Sequence, residues 1–389
     1  LSTKITFSTS SEYDYDTLQK KYNNFMVPAF EVKVGGKNIQ QGSSYISQLE
    51  IVIPVTVASE MRSIEMSECN FTISGIFDMK NSSFKSDVLD NLKIGTKVEV
   101  AGGYGSSLTV LFVGLLQHVR VSYGEGGVNI QVSAYDSTIL LRNARKFALY
   151  ENEDKNALIK KILQACTKDG LATLSDSNIG TFGGEKVRLE QAGLDDCEFI
   201  TTLARRERFS FAIIHGQIIL KNLIDELKAI MKLTYGKNIF SFDLELDTTK
   251  QVGKVVARSI HDKERKGVEG SADSVSVKKS GGKAAIEFPS LQSKIKSNII
   301  EYKDPLENTK EGLDKIAQAV LDEKAMNFVS GRGMCIGLPE LVPGRYIELD
   351  GMGKQVNGKY FISKVIHRFG PDGFTTQFDV KGAYSKWES

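Results

Sequence analysis

Four histidines, four cysteines and a few acidic and basic clusters are the side chains with chemistry to offer in this 389-residue chain. His118, His215, His261 and His367 each stand more than 40 residues from the next, so neither an H-E-x-x-H helix nor an H-x-H strand can form a metal site. Cys69, Cys166, Cys197 and Cys335 lie at least 31 residues apart, and no C-x-x-C pair offers a thiolate zinc site or a thioredoxin-type redox centre. They read as small buried hydrophobes of a chain folded in a reducing cytoplasm. Asp195-Asp196 reads as a helix cap before it reads as a general acid and base. Arg205-Arg206-Glu207-Arg208 ends a helix, where positive charge suits the macrodipole, although the run could also hold a phosphate or a peptide. Gly331-Arg332-Gly333 with Gly337 approaches a dinucleotide fingerprint but follows a helix instead of opening one. A nucleophile elbow and a Walker loop are both missing. Two carboxylates of a glycosidase need no fixed spacing, so a hydrolase remains an alternative. No catalytic, cofactor-binding or metal-ligating residue is assigned, no cofactor is expected, and the chain is expected not to be an enzyme.

The elements that would carry these residues change character along the chain. Residues 1–25 are polar and Ser/Tyr/Asp-rich, and read as a loose or partner-ordered arm. Phe30, Val32 and Val34 then alternate, as do Leu49, Ile51, Ile53, Val55 and Val57, and Cys69, Phe71 and Ile73; period two puts each set on one face of a strand. Strands at 97–100, 108–121 and 128–134 follow, punctuated by Gly102-Gly103 and Gly126-Gly127, which points to an antiparallel barrel or sandwich; 26–148 is taken as a first β-barrel domain. Helical spacing takes over in 156–167 and again after Asp195, whose carboxylate with Glu198 makes a capping box. A hairpin over 209–220 turns at His215-Gly216, so 149–236 reads as an α/β middle domain. Strands resume in 237–385, interrupted by a charged, aromatic-free stretch at 262–284 that reads as a mobile loop. A helix over 309–329 carries the stripe Leu313, Ile316, Ala317, Val320, Leu321, Lys324 and Phe328, with Asn308 and Glu311 as its cap.

The two β-rich ends repeat each other at an offset of 249 residues. Leu92 meets Leu341, Gly95 meets Gly344, Glu99 meets Glu348, Gly102 meets Gly351, Phe112 meets Phe361 and His118 meets His367, six identities over 27 positions. The expected fold is therefore mainly β with an α/β segment: two related antiparallel β-barrels flanking the middle domain. His118 and His367 then occupy matching places, more plausibly in the barrel framework than as a ligand pair.

Composition bounds the function. Hydrophobic residues at 41% and charged residues at 25% are those of a globular protein of two to three domains. A formal charge of +2 argues against nucleic-acid binding. No run approaches the roughly 18 apolar residues of a membrane span. The first 24 residues lack the apolar core of a secretory signal, and the start at Leu1 suggests a trimmed chain.

Leu92-Lys-Ile-Gly-Thr-Lys-Val98, Gly103-Tyr104, Leu111-Phe-Val-Gly114 and Val132-Ser-Ala-Tyr-Asp136 resemble the first barrel of the late control protein D family. Leu189-Glu-Gln191, Asp196-Cys-Glu-Phe199 and Leu203-Ala204 are similar to its middle segment. Gly337-Leu-Pro-Glu-Leu-Val-Pro-Gly344, Gly358-Lys-Tyr-Phe-Ile-Ser-Lys-Val365 and His367 resemble its closing barrel. The match runs over roughly 26–385, with gaps around 262–290. The family comprises baseplate hubs of contractile phage tails and tailocins and the hub half of the type VI secretion spike protein. The resemblance implies a homotrimer, a symmetry adaptor whose six barrels meet a hexameric tail tube protein on one face and a trimeric spike protein on the other, beside other baseplate components. It also implies assembly in the bacterial cytoplasm and a final place in the particle. Type VI spikes continue into a needle where this chain stops at Ser389, so the spike is expected to be a separate polypeptide or to have been cut away. The alternatives are a tail-tip cell-wall hydrolase and a surface glycan-binding module; the lone Trp387 suits a partner contact better than a sugar platform.

Overall fold

The alternating runs form strands as their period dictates. In Glu68–Ser74 every second residue, Cys69, Phe71 and Ile73, is buried, and Gly373–Gly382 buries Phe374, Thr376, Phe378 and Val380 in the same way. The computed structural model describes residues 3–39, 46–57, 64–84, 86–125, 127–142, 144–183, 187–260, 265–303, 307 and 309–387. The first half of the chain supplies β1 (Pro28–Val34), β2 (Ile46–Pro54), β3 (Glu68–Ser74), β4 (Lys97–Tyr104), β5 (Ser107–Gly124) and β6 (Gly127–Tyr135). The middle supplies β7 (Lys146–Glu153), α1 (Lys155–Leu163), β8 (Val187–Leu194), α2 (Asp196–Arg206), β9 (Ser210–Ile214) and β10 (Gln217–Lys221). Then come β11 (Ala229–Thr234), β12 (Ile239–Leu246), β13 (Lys254–Ile260), β14 (Gly267–Ala272), β15 (Ile299–Lys303), α3 (Lys310–Met326), β16 (Val329–Ile336), β17 (Tyr346–Asp350), β18 (Gly358–Gly370) and β19 (Gly373–Gly382). Two- to four-residue pieces and the 3-10 turns are left unlabelled, as are the helices Tyr15–Lys21 and Pro289–Ser297.

The fold is mainly β with an α/β segment, as expected, and its two β-rich ends are joined in one 13-stranded sheet. The first half contributes the order β1-β4-β5-β6-β3-β2 and the second β11-β17-β18-β19-β16-β12. Their junction is antiparallel pairing of β2 with β18, from Leu49 opposite Phe369 to Pro54 opposite Lys364. One apolar core lies across it, containing Ile51, Val100 and Phe112 from one half and Phe361, Val365 and Phe378 from the other.

Within this sheet the halves duplicate each other rung by rung. Gly124 opposite Gly127 closes the β5–β6 hairpin, and Gly370 opposite Gly373 closes β18–β19. Counting back from each turn, both ladders break at the same rung: His118 pairs Ser133 before Leu116 pairs Ala134, and Lys364 pairs Asp379 before Ile362 pairs Val380. A second irregularity is also shared, at Ile46/Gln48 of β2 against β3 and at Ile239/Ser241 of β12 against β16. Bulges bend and twist a strand locally, so matched bulges give the halves matched curvature. The outermost strands break the likeness: β1 is antiparallel to β4, whereas β11 is parallel to β17.

These registers correct the expected repeat. Lys97 lies opposite Leu115 and its counterpart Tyr346 lies opposite Phe361, so Phe361 corresponds to Leu115, not Phe112. Likewise His367 corresponds to Val121, not His118. The glycine turns match at the expected offset, and the return strands slip by three residues, because β4 runs on to Tyr104 while β17 stops at Asp350 and loops back through Gly351 and Gly353.

Two smaller units flank the sheet. The first packs α1, α2, β8 and the β9–β10 hairpin around Leu158, Ile159, Leu163, Phe199, Ile200, Leu203, Phe211 and Ile218. The α2 capping box is as expected: Asp195 accepts from the Glu198 N–H at 2.7 Å and Glu198 accepts from the Asp195 N–H at 3.1 Å. The hairpin turns at His215 (φ 51°) and Gly216 (φ 72°), a primed turn that matches the strand twist. Ala229–Thr234, expected inside the middle domain, instead joins the large sheet as β11. The second unit corrects the stretch 262–284: Gly267–Ala272 is strand β14, paired along its length with β13, and Ala272 packs with Leu313, Ile316 and Ala317 of α3. Residues 262–264 of that stretch and the expected cap Asn308 lie outside the described residues; Thr309 accepts from the Gly312 N–H as the N-cap.

The amino-terminal arm is likewise corrected, from loose to packed. Phe7, Leu18, Tyr22 and Phe25 are buried in the main core. Tyr22 donates at 2.7 Å to the buried carboxylate of Glu340, which also takes Lys21 Nζ at 2.8 Å. The Arg345 side chain, 1% exposed, donates to the carbonyl of Ser8 and, at 2.9 and 2.7 Å, to the hydroxyl and carbonyl of Ser11. Arg345→Met should unclamp this segment, lowering unfolding free energy by about 2 kcal/mol and speeding limited proteolysis inside residues 8–25 roughly tenfold. Unchanged cleavage would show that the apolar anchors hold the arm without the guanidinium.

Candidate assembly surface

The residues with chemistry are mostly spent inside the fold. His215 and His367 are buried, and burial drives their pKa values down to about 4 and about 3, His367 being lowered further by His215. His367 Nδ1 lies 2.9 Å from the Thr376 hydroxyl. His118 is exposed on β5, so it does not meet His367, and His261 lies outside the described residues. All four cysteines are free and buried; burial pushes the thiols of Cys166 and Cys197 up to about 12 and raises those of Cys69 and Cys335 as well. Among the described residues no group of three or more His, Cys, Asp or Glu is placed to hold a metal ion.

The charged clusters are also committed. Arg205 donates to the Tyr302 hydroxyl at 2.8 Å, Arg206 pairs with Glu307 at 3.3 Å, and Arg208 reaches Asp322 at 3.1 Å. These contacts tie the end of α2 to the β15 and α3 unit. Asp196, the second acid of the expected cap, is 5% exposed and receives Lys146 Nζ at 2.6 Å and Gln191 Nε2 at 3.1 Å. Gly331-Arg332-Gly333 lies within strand β16, with Arg332 Nε on Asp379 at 2.9 Å, so it forms no nucleotide loop.

What the fold leaves unpartnered is sheet edge and apolar surface. β12 ends the sheet: beyond the single bridge of Ile239 to Tyr235, it pairs among the described residues with β16 on one side only. Its Phe242, Leu244 and Leu246 line a groove of about 860 Å³ with Phe240, Met352 and Trp387, and Phe240 and Trp387 are each more than half exposed. On β5, pairing with β4 stops at Leu115, so among the described residues the stretch from His118 to Gly124 is paired only with β6. It exposes Val121 and Tyr123, the latter in edge contact with Phe77. Sequence reading took both stretches as ordinary half-buried strands, because alternation reports which face is apolar and not whether a neighbouring strand is present. Trp387, singled out as a partner contact, sits on this surface.

No helix among the described residues is long and apolar enough to cross a membrane. No curated protein sequence matches the chain. Among solved structures, the 43 kDa tail protein of prophage MuSo2 from Shewanella oneidensis matches with a TM-score of 0.67 at 14% identity, over 92% of this chain and 98% of its own. The tail protein from Neisseria meningitidis MC58 matches with a TM-score of 0.65 at 12% identity, over 91% and 96%. An Escherichia coli protein described as a component of the type VI secretion system matches with a TM-score of 0.51 at 12% identity, over 91% and 78%. At such identities the likeness establishes the fold: this is the mainly antiparallel fold of phage tail proteins. A family model described as the Alg8 N-terminal domain matches residues 26–370, and the chain belongs to that family.

Proposed function

We propose that the protein is a structural, non-enzymatic hub of a contractile tail or injection-system baseplate, acting as a trimeric adaptor between a hexameric tail tube and a trimeric spike. The observation that carries this reading is the internal duplication, down to shared bulges, of a six-strand unit within one chain. Three copies would present six such units to a sixfold tube while keeping true threefold symmetry for a spike. The resemblance to late control protein D hubs supports the same role, as does the tail-protein fold. Assembly would take place in the bacterial cytoplasm and end in the particle beside other baseplate components. Light scattering with size exclusion should give a mass near three times 42.9 kDa, alone or with spike protein added. A chain that stays monomeric with both tube and spike partners would end the adaptor reading.

One observation favours a second reading, surface glycan binding: the groove beside Trp387 offers exposed aromatic faces. Saturable binding of cell-surface polysaccharide, abolished by Trp387→Ala, would support it.

A further inference from the structure

The junction between the two halves of one chain has an unfilled counterpart at each end of the sheet. At the junction, the last six residues of β18 before its turn pair with β2. The matching six residues of β5, from His118 to Tyr123, have β6 on one side and no strand on the other among the described residues. The strand that corresponds to β2 is β12, and from Phe242 to Leu246 its outer edge is likewise unpaired among the described residues.

We infer that a second copy of this chain docks its β12 edge on the β5 stretch from His118 to Tyr123, in the register of the internal β2–β18 junction. This rests on the trimeric reading above, and it names the interface and its pairs. Transferring the register through the shared turns and bulges places Tyr123 opposite Phe242 of the second copy, Ser122 opposite Asp243, Val121 opposite Leu244, Arg120 opposite Glu245 and Val119 opposite Leu246.

The side chains brought together suit each other on both faces. One face puts Val119, Val121 and Tyr123 against Leu246, Leu244 and Phe242, the apolar row of the groove. The corresponding face of the internal junction holds Val365, His367 and Phe369 against Ile53, Ile51 and Leu49, all buried. The other face sets His118 and Arg120 against Asp247, Glu245 and Asp243, a basic row on an acidic one. Arg120 and Glu245 are exposed, and among the described residues no salt bridge occupies either. The same face of the internal junction carries one such bond, Arg368 Nε to Glu50 at 2.7 Å. A contact of this kind is head-to-tail and closes a ring when the rotation allows; three copies would alternate three internal junctions with three between copies.

Charge reversal and cross-linking test it. Arg120→Glu and Glu245→Arg should each raise the concentration of half-dissociation at least about tenfold, and the double variant should recover most of that loss. Both side chains are exposed, so far-ultraviolet circular dichroism and urea unfolding of each variant should match the parent. Ser122→Cys combined with Asp243→Cys should form covalent oligomers on mild oxidation, because opposed residues of an antiparallel pair lie within disulfide reach. If the protein is trimeric while the reversals leave its mass unchanged and no cross-link forms, the interface lies elsewhere and the inference is overturned, with the hub reading intact. If no condition yields self-association, both are overturned.

Discussion

Between pH 6.5 and pH 5 the protein should lose stability at up to about 2.7 kcal/mol per pH unit, the slope of two protons taken up on unfolding. His215 and His367 are neutral in the fold, with pKa values driven down from 6.5 to about 4 and about 3. Neither Nε2 has a partner among the described residues, and the Thr376 hydroxyl beside His367 Nδ1 accepts the Leu338 N–H at 3.0 Å, leaving its own proton for a neutral ring. The sign follows from which state binds the proton. In the unfolded chain both imidazoles protonate near pH 6.5, and in the fold they do not until far lower. Their contribution is therefore complete above pH 6.5 and declines as pH falls, until the folded chain protonates too, near pH 4 for His215. Carboxylates titrate mainly below pH 5, so the upper part of the window isolates the histidines. Urea unfolding at half-unit pH intervals measures the slope. His215→Asn, whose side chain tolerates the left-handed turn, should remove about half of it. A flat profile from pH 7 to 5 would contradict the burial of both rings.

Gly344→Val should cost about 3–5 kcal/mol, against about 1–2 kcal/mol for Gly95→Val. Both glycines open a strand after a tight turn, and both have left-handed backbone, φ 77° and 82°. A branched side chain is strained at either place. They differ in what surrounds them. A Cβ on Gly344 would lie 2.7 Å from Leu223 Cδ1, whereas one on Gly95 meets nothing within 4 Å. Gly344 therefore adds overpacking against a buried leucine to the backbone strain. The comparison separates the two effects, and neither substitution touches a titratable group. Equal losses in chemical unfolding would mean that Leu223 yields freely.

Local chemistry was the legible part of this chain. Asp195 and Glu198 announce a helix start because their spacing matches the exposed N–H groups, and His215-Gly216 announces a turn because few residues accept its backbone. The stripe Leu313, Ile316, Ala317 and Leu321 gave the last long helix nearly to its ends, Lys310 and Met326. What escaped was set by distant partners. Gly267–Ala272 carries a single large apolar residue, Val268, and becomes a strand only because β13 and α3 lie beside it. The arm looked loose because its anchors, Phe7, Leu18, Tyr22 and Phe25, are spread among polar residues, and the Arg345 that clamps it lies more than 300 residues away. His118 and His367 looked equivalent because both sit on return strands at the same offset, and composition does not reveal that β4 runs further than β17 before the chain turns back. The open edge of β12 was invisible for the same reason: Leu244 reads alike whether or not a strand lies beside it.

The single core shared by the two halves also makes the thiols into reporters. Cys69 sits in one half and Cys335 in the other, while Cys166 and Cys197 belong to the α/β unit. Buried and held in the thiol form, none reacts until its surroundings open. Alkylation followed by peptide mass mapping would thus time cooperative opening without a single engineered label. Cys69 and Cys335 should be modified together, as parts of one folding unit, and Cys166 with Cys197 on a clock of their own.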